Sequence, residues 1–175
     1  MRKVVGIVAI IILISLFGFI FFSSKKTIPE SSSSKNSALP APTETSSAAP
    51  ITDIQASFAI FTNSTFRIFT ASMYHNLSQD VYIEANNPNV VRVKKAGTTW
   101  NDFFSTLPFK LTSQCLTTGT KETFCTGKNG TLQFYINGEK SPNALSQEIE
   151  DGDKLLVTFG KELDAQIKQQ IDKVP

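Results

Sequence analysis

The stretch TLQFYINGEKSPNALSQEIEDGDKLLVTFG, Thr131–Gly160, decides the fold. Leu132, Phe134 and Ile136 alternate with polar neighbours, and a period of two puts them on one face of a strand. Asn137-Gly138 follows at once and supplies the left-handed backbone angles of a tight hairpin turn. Asp151-Gly152-Asp153 then turns the chain again, and Leu155, Val157 and Phe159 resume the alternation. Gly138 and Gly152 read as corners whose angles other residues resist. Glu150, Asp151 and Asp153 also offer the raw material of a paired-carboxylate site. Acidic residues in an Asp-Gly turn ordinarily face water, however, and a calcium loop needs more oxygen ligands at regular spacing.

Working upstream, Phe58 and Ile60 share one face of a strand over Ala56–Thr62, "TNST" turns the chain, and Phe66 and Ile68 share a face of a second strand. Val81–Glu84 and Val90–Lys94 alternate in the same way, with Val91 and Val93 inward against Arg92 and Lys94. One segment changes period. In "TTWNDFFSTLPF", Trp100, Phe103, Phe104 and Leu107 fall at i, i+3, i+4 and i+7, one stripe of a short amphipathic helix. Thr99 is its N-cap, Asp102 sits in its first turn, and Pro108 ends it. Three aromatics on so short a helix require a sheet to cover them.

The amino-terminal part is of another kind. Met1-Arg2-Lys3 is basic, and Val4–Phe22 runs nineteen residues without a charge. As a helix that run spans about 28 Å, the thickness of a bilayer core. Phe21 and Phe22 stand where a signal-peptide cleavage site would need small residues, so the segment reads as a retained anchor. Ser31–Ser34, Leu39-Pro40-Ala41-Pro42 and a Thr/Ser/Ala run up to Pro50 follow, with almost nothing large and apolar to bury, which predicts a disordered tether.

Cys115 and Cys125, the only cysteines in the chain, flank "LTTGTKETF", with Gly119 midway. A hairpin there would bring them together, and the reading is a disulfide closing a loop worth about 2.5–3 kcal/mol, with two buried free thiols as the alternative. Such bonds persist in oxidising compartments, which places the carboxy-terminal part outside the cytoplasm. With one histidine and no Cys-x-x-Cys spacing, a zinc site lacks ligands. That histidine, His75, stands near Ser72, Ser78 and Asp80, but no Gly-x-Ser-x-Gly elbow accompanies it. No phosphate loop or dinucleotide-binding glycine pattern is present. Arg92, Lys94 and Lys95, with Arg67 across the sheet, form the one basic cluster, a patch for an anionic ligand such as a surface polymer. The net charge of +2 is too small to imply nucleic acid. In the tail, Leu163, Ile167 and Ile171 recur every fourth residue, the stripe of an amphipathic helix that docks on its own domain or on a second chain.

The order strand, strand, helix, cysteine hairpin, strand, turn, strand resembles the β-grasp fold, a mixed sheet wrapped around one helix. "YINGEKSP…EIEDGDKLLV" looks like the tail of sulfur-carrier and ubiquitin-like β-grasp proteins. Sulfur carriers are activated at a terminal Gly-Gly, whereas Gly160 is followed here by fifteen residues, so that chemistry is not implied. From Phe58 onward, "VVRVKKAGTTWNDFFSTLPFKLTSQCL…FC…GTLQFYINGE…EDGDKLLVTFG" is similar to a family of single-pass, membrane-anchored bacterial proteins of unassigned activity. Relatives of that group carry a His-x-His pattern where this chain has Arg92 and Lys94, which are poor metal ligands.

The sequence therefore predicts an α+β protein. Its parts are a transmembrane anchor at 1–26, a disordered linker at 27–52, an extracytoplasmic β-grasp-like domain at 53–160 and an amphipathic helix at 161–175. The expected role is binding or assembly at the cell membrane, with an envelope protein or an anionic surface polymer as partner. No catalytic residue, cofactor or metal ligand is assigned. The rival class, an enzyme or metal-handling protein, requires convergent groups around His75 or the Asp151/Asp153 turn.

Overall fold

The structure is a computed structural model that describes residues 51–175. The expected anchor and nearly all of the expected linker lie outside the described residues. Among the described residues no helix is long and apolar enough to cross a membrane.

The described residues form ten strands: β1 (Ile51–Thr62), β2 (Thr65–Phe66), β3 (Val81–Glu84), β4 (Asn87–Lys95), β5 (Lys110–Leu111), β6 (Cys115–Thr117), β7 (Thr123–Cys125), β8 (Thr131–Ile136), β9 (Glu139–Lys140) and β10 (Lys154–Gly160). Among the described residues there are also two α-helices, α1 (Trp100–Thr106) and α2 (Asp164–Ile171). The main sheet is mixed, in the order β3-β4-β1-β10-β8-β9, with β2 paired to the end of β1. Its central pair, β1 and β10, is parallel from Ser57↔Lys154 to Thr62↔Phe159, and its other pairs are antiparallel. A central strand is covered on both faces and loses the clean alternation of an edge strand. "LLVTF" in β10 meets that demand, and Leu155 to Phe159 are all buried.

One face of the sheet carries Phe58, Ile60, Val91, Val93, Phe134 and Leu155 against α1. The Phe58 ring lies 5.2 Å from Phe103 and 5.7 Å from Phe104, both edge-on. Each of these buried side chains contributes about 1.5–3 kcal/mol by leaving water. α1 begins where the sequence predicts. Thr99 Oγ1 accepts from Asp102 N at 3.2 Å, and Asp102 Oδ2 accepts from Thr99 N at 2.9 Å, a reciprocal capping box. A small second sheet, β5-β6-β7, closes the end of this core with Leu111, Leu116 and Phe124.

The opposite face is divided. Over β1, β10 and β8 it is apolar, and α2 covers it with Ile167 against Ala59, Phe61 and Leu156. Ser57 Oγ donates to the Pro175 carbonyl at 2.6 Å and fastens the segment after the helix. The predicted stripe needs correcting here: Leu163 precedes α2 and is 71% exposed, while Val174 completes the buried face. Over β3 and β4 the same face is charged and uncovered.

A second correction concerns the first hairpin. Asn63 and Ser64 both take positive φ, 49° and 62°, and turn β1 into β2. But β2 leaves the sheet after Phe66, so the expected inward pair is not inward: Phe66 is 37% and Ile68 67% exposed. Phe69 is buried in their place, 5.2 Å from Phe58.

Candidate functional site

The two turns of the Thr131–Gly160 stretch are bound to each other. Asn137 and Gly138 take φ of 53° and 85°, and Gly152 takes 82°. The Asn137 side chain spans the gap: Nδ2 donates to Asp153 Oδ1 at 2.8 Å and Oδ1 accepts from Lys154 N at 2.9 Å. Asp153 is buried and accepts a further bond from Glu150 N at 3.1 Å, and Asp151 Oδ1 accepts from Gln55 N at 2.9 Å. Both carboxylates thus satisfy backbone or amide donors that the corner leaves over.

His75 is half-buried, and its Nε2 lies 2.8 Å from the Phe69 carbonyl oxygen. Among the described residues no three His, Cys, Asp or Glu side chains converge to hold a metal ion. Cys115 and Cys125 face each other across β6 and β7 and are joined as a disulfide, as predicted.

The basic cluster is brought together but arrives paired. Lys94 Nζ lies 2.8 Å from Asp53 Oδ1, Arg92 lies 3.6 Å from Glu84 and 3.8 Å from Asp53, and Lys95 lies 3.7 Å from Asp80. The Lys94 hydrogen bond, aided by the charges of Lys94 and Arg92, holds the Asp53 carboxyl below its ordinary value. The patch is therefore close to locally neutral. Arg67 is not part of it. Its Nε donates to Thr62 Oγ1 at 2.6 Å, its guanidinium lies 5.1 Å from the centre of the Phe124 ring, and one terminal nitrogen reaches Glu122 at 3.5 Å.

Arg67 lines a feature that the sequence did not announce, an apolar groove of about 400 Å³. Ile60, Phe69 and Leu116 are buried beneath it, while Phe66, Ile68 and Met73 stand exposed at its rim. The turn Thr118-Gly119-Thr120, between β6 and β7, forms part of its far side. Its volume falls in the range of sites that take small ligands or the anchoring side chains of a partner. Of the five large apolar side chains that are exposed among the described residues, four, Phe66, Ile68, Met73 and Leu77, belong to this one segment of chain. Scattered exposed apolar residues are ordinary, but a run of them beside a groove is not. Sequence reading missed the site because it placed Phe66 and Ile68 in a core-facing strand. The available signal was the aromatic and methionine density of "FRIFTASMY", too long for one turn and too irregular for a strand.

No protein-family model matches this chain, and neither a similar curated protein nor a similar solved structure was found.

Proposed function

We propose that this chain is a membrane-anchored binding or assembly module held at a cell surface, with a single-pass anchor at 1–26, a tether at 27–52 and an extracytoplasmic domain of β-grasp type. The β-grasp reading rests on strand order: the β4–β1 and β8–β10 antiparallel pairs meet through the parallel β1–β10 pair, and α1 packs on one face. β2, β3 and the small second sheet are additions to that frame. The extracytoplasmic reading rests on the Cys115–Cys125 bond. The anchor reading rests on the uncharged run Val4–Phe22.

The observation that carries a binding role is the groove with Phe66, Ile68 and Met73 exposed along it. A binding protein, and not an enzyme, fits the engagement of His75, Asp151 and Asp153 with backbone and amide groups. The ion pairs on Arg92, Lys94 and Lys95 favour an envelope protein over an anionic surface polymer as partner. A photo-crosslinking amino acid placed at Ile68 or Met73 of the full chain, in the cells that make it, tests the reading. One recurring protein adduct is expected from both positions and none from the exposed Lys168 on α2. Adducts that are equal at all three positions refute it.

A further inference from the structure

Resting on the groove as the binding site, we propose that it takes an extended segment of a partner protein carrying a carboxylate beside large apolar side chains. Arg67 recognises that carboxylate, and Glu122 occupies the guanidinium in its absence.

Charge comes first. Arg67 is the single charged residue among those lining the groove. Everything else there is apolar or neutral, so the complementary ligand is apolar with one anionic group. The guanidinium is also held ready. Its Nε is fixed by Thr62 Oγ1 at 2.6 Å and its central carbon lies 5.1 Å from the centre of the Phe124 ring, so the terminal nitrogens are the groups left to meet a ligand. Their present partner is weak. The Glu122 contact is 3.5 Å long, beyond the 2.7–2.9 Å of a charge-assisted hydrogen bond, and both side chains reach solvent. Exposed pairs of that kind contribute little, so exchanging one carboxylate for another costs little.

A protein segment fits better than a lipid. Phe66, Phe69, Tyr74, Met73 and Arg67 are the residue types that protein interfaces concentrate, and the lining contains no Lys, Asp or Glu. The backbone of β2 is also available. Arg67 N donates to Ile60 O at 2.8 Å, which makes Phe61 and Phe66 a pair without mutual hydrogen bonds. The N–H and C=O of Phe66 therefore point away from β1, where an extended segment can use them. Finally, the residues before Ile51 join β1 at its far end. Ile60 lies nine residues along that strand, about 30 Å away, so the groove sits at the other end of β1.

The test uses the full chain in detergent micelles and random dodecapeptides displayed on phage as the probe. The expected selection pairs Asp or Glu with Leu, Ile, Phe or Met at neighbouring positions. A synthetic peptide of that sequence then binds Arg67→Gln about tenfold more weakly, the worth of a hydrogen bond to a charged group. It binds Glu122→Gln about threefold more tightly, because the competing carboxylate is gone. Its Asn-substituted version binds wild type and Arg67→Gln alike. Glu122→Gln leaves Arg67 in place and decides the matter if Arg67→Gln melts lower than wild type. Apolar peptides selected without an acidic residue, or unchanged affinity in both variants, overturn the role of Arg67 and leave the groove as a site. Recovery of no peptide, with phosphatidylglycerol vesicles bound through Ile68 and Met73, overturns a protein partner altogether.

Discussion

Serine at both cysteines, C115S with C125S, removes the staple at the base of the β6–β7 hairpin. The two residues are 10 positions apart, so the bond closes a loop of about eleven residues. On the chain-entropy model that loop restricts the unfolded chain by about 2.8 kcal/mol at 25 °C. Unfolding entropy is about 2.1 cal/mol/K per residue, and over roughly 125 described residues the loss lowers Tm by about 10 °C. The full effect reaches Tm only if the hairpin unfolds with the rest. Leu116 and Phe124 make that connection, since both are buried in the main core and the Phe124 ring lies 5.4 Å from Phe159 of β10. Thermal unfolding of the full chain in detergent, followed by far-ultraviolet circular dichroism, measures the shift, and wild type with dithiothreitol should melt with the variant. A drop of less than about 3 °C, well under the computed loop term, with an intact cooperative transition refutes the reasoning. The hairpin would then be an appendage that opens alone.

Other expectations follow from the same contacts. Ile167→Ala should cost about 2–4 kcal/mol in urea unfolding because it empties a buried position between α2 and the sheet, whereas Leu163→Ala at the exposed site should stay within about 0.5 kcal/mol. Asp153→Ala strands the Asn137 amide and Glu150 N–H and should cost about 1–3 kcal/mol in the same assay. Thr99→Ala should cost about 1 kcal/mol through loss of the cap on α1. Hydrogen bonds from the Thr99 backbone, then from its hydroxyl, hold the Asp102 carboxyl below its ordinary value. A depressed folded-state value means that this stabilisation is complete above the unfolded value of about 3.9 and disappears as pH falls through the folded one. The Tm advantage of wild type over Asp102→Asn should therefore be steady near neutrality and shrink below about pH 4.

What sequence reading recovered follows from how locally each feature is encoded. α1 was legible because its stripe, N-cap and terminating proline all lie within "TTWNDFFSTLP". β8, β10 and both corners were legible because alternation and Asn-Gly or Asp-Gly turns are signals only a few residues long. Phe66 and Ile68 were misplaced because alternation over so few residues cannot reveal that the strand ends after Phe66, which depends on β4 and β10 flanking β1. The pairing of Lys94 with Asp53 was invisible for a related reason: it crosses the β1–β4 ladder near a register shift between Ile51 and Ile54. The groove depends on the β6–β7 turn and the Phe66–Tyr74 segment meeting, far apart in sequence, so no local pattern could encode it.

The parallel pairing of Ser57 with Lys154 bears on how this protein is made. While the ribosome is still delivering the residues before Lys154, β1 has no neighbour on one flank. A nascent chain can form the β3–β4 arm and α1, but not the closed body. The body shuts only when β10 slots between β1 and β8. Such non-local closure is slow, and until it happens the open flank of β1 is exposed to wrong partners in a crowded compartment.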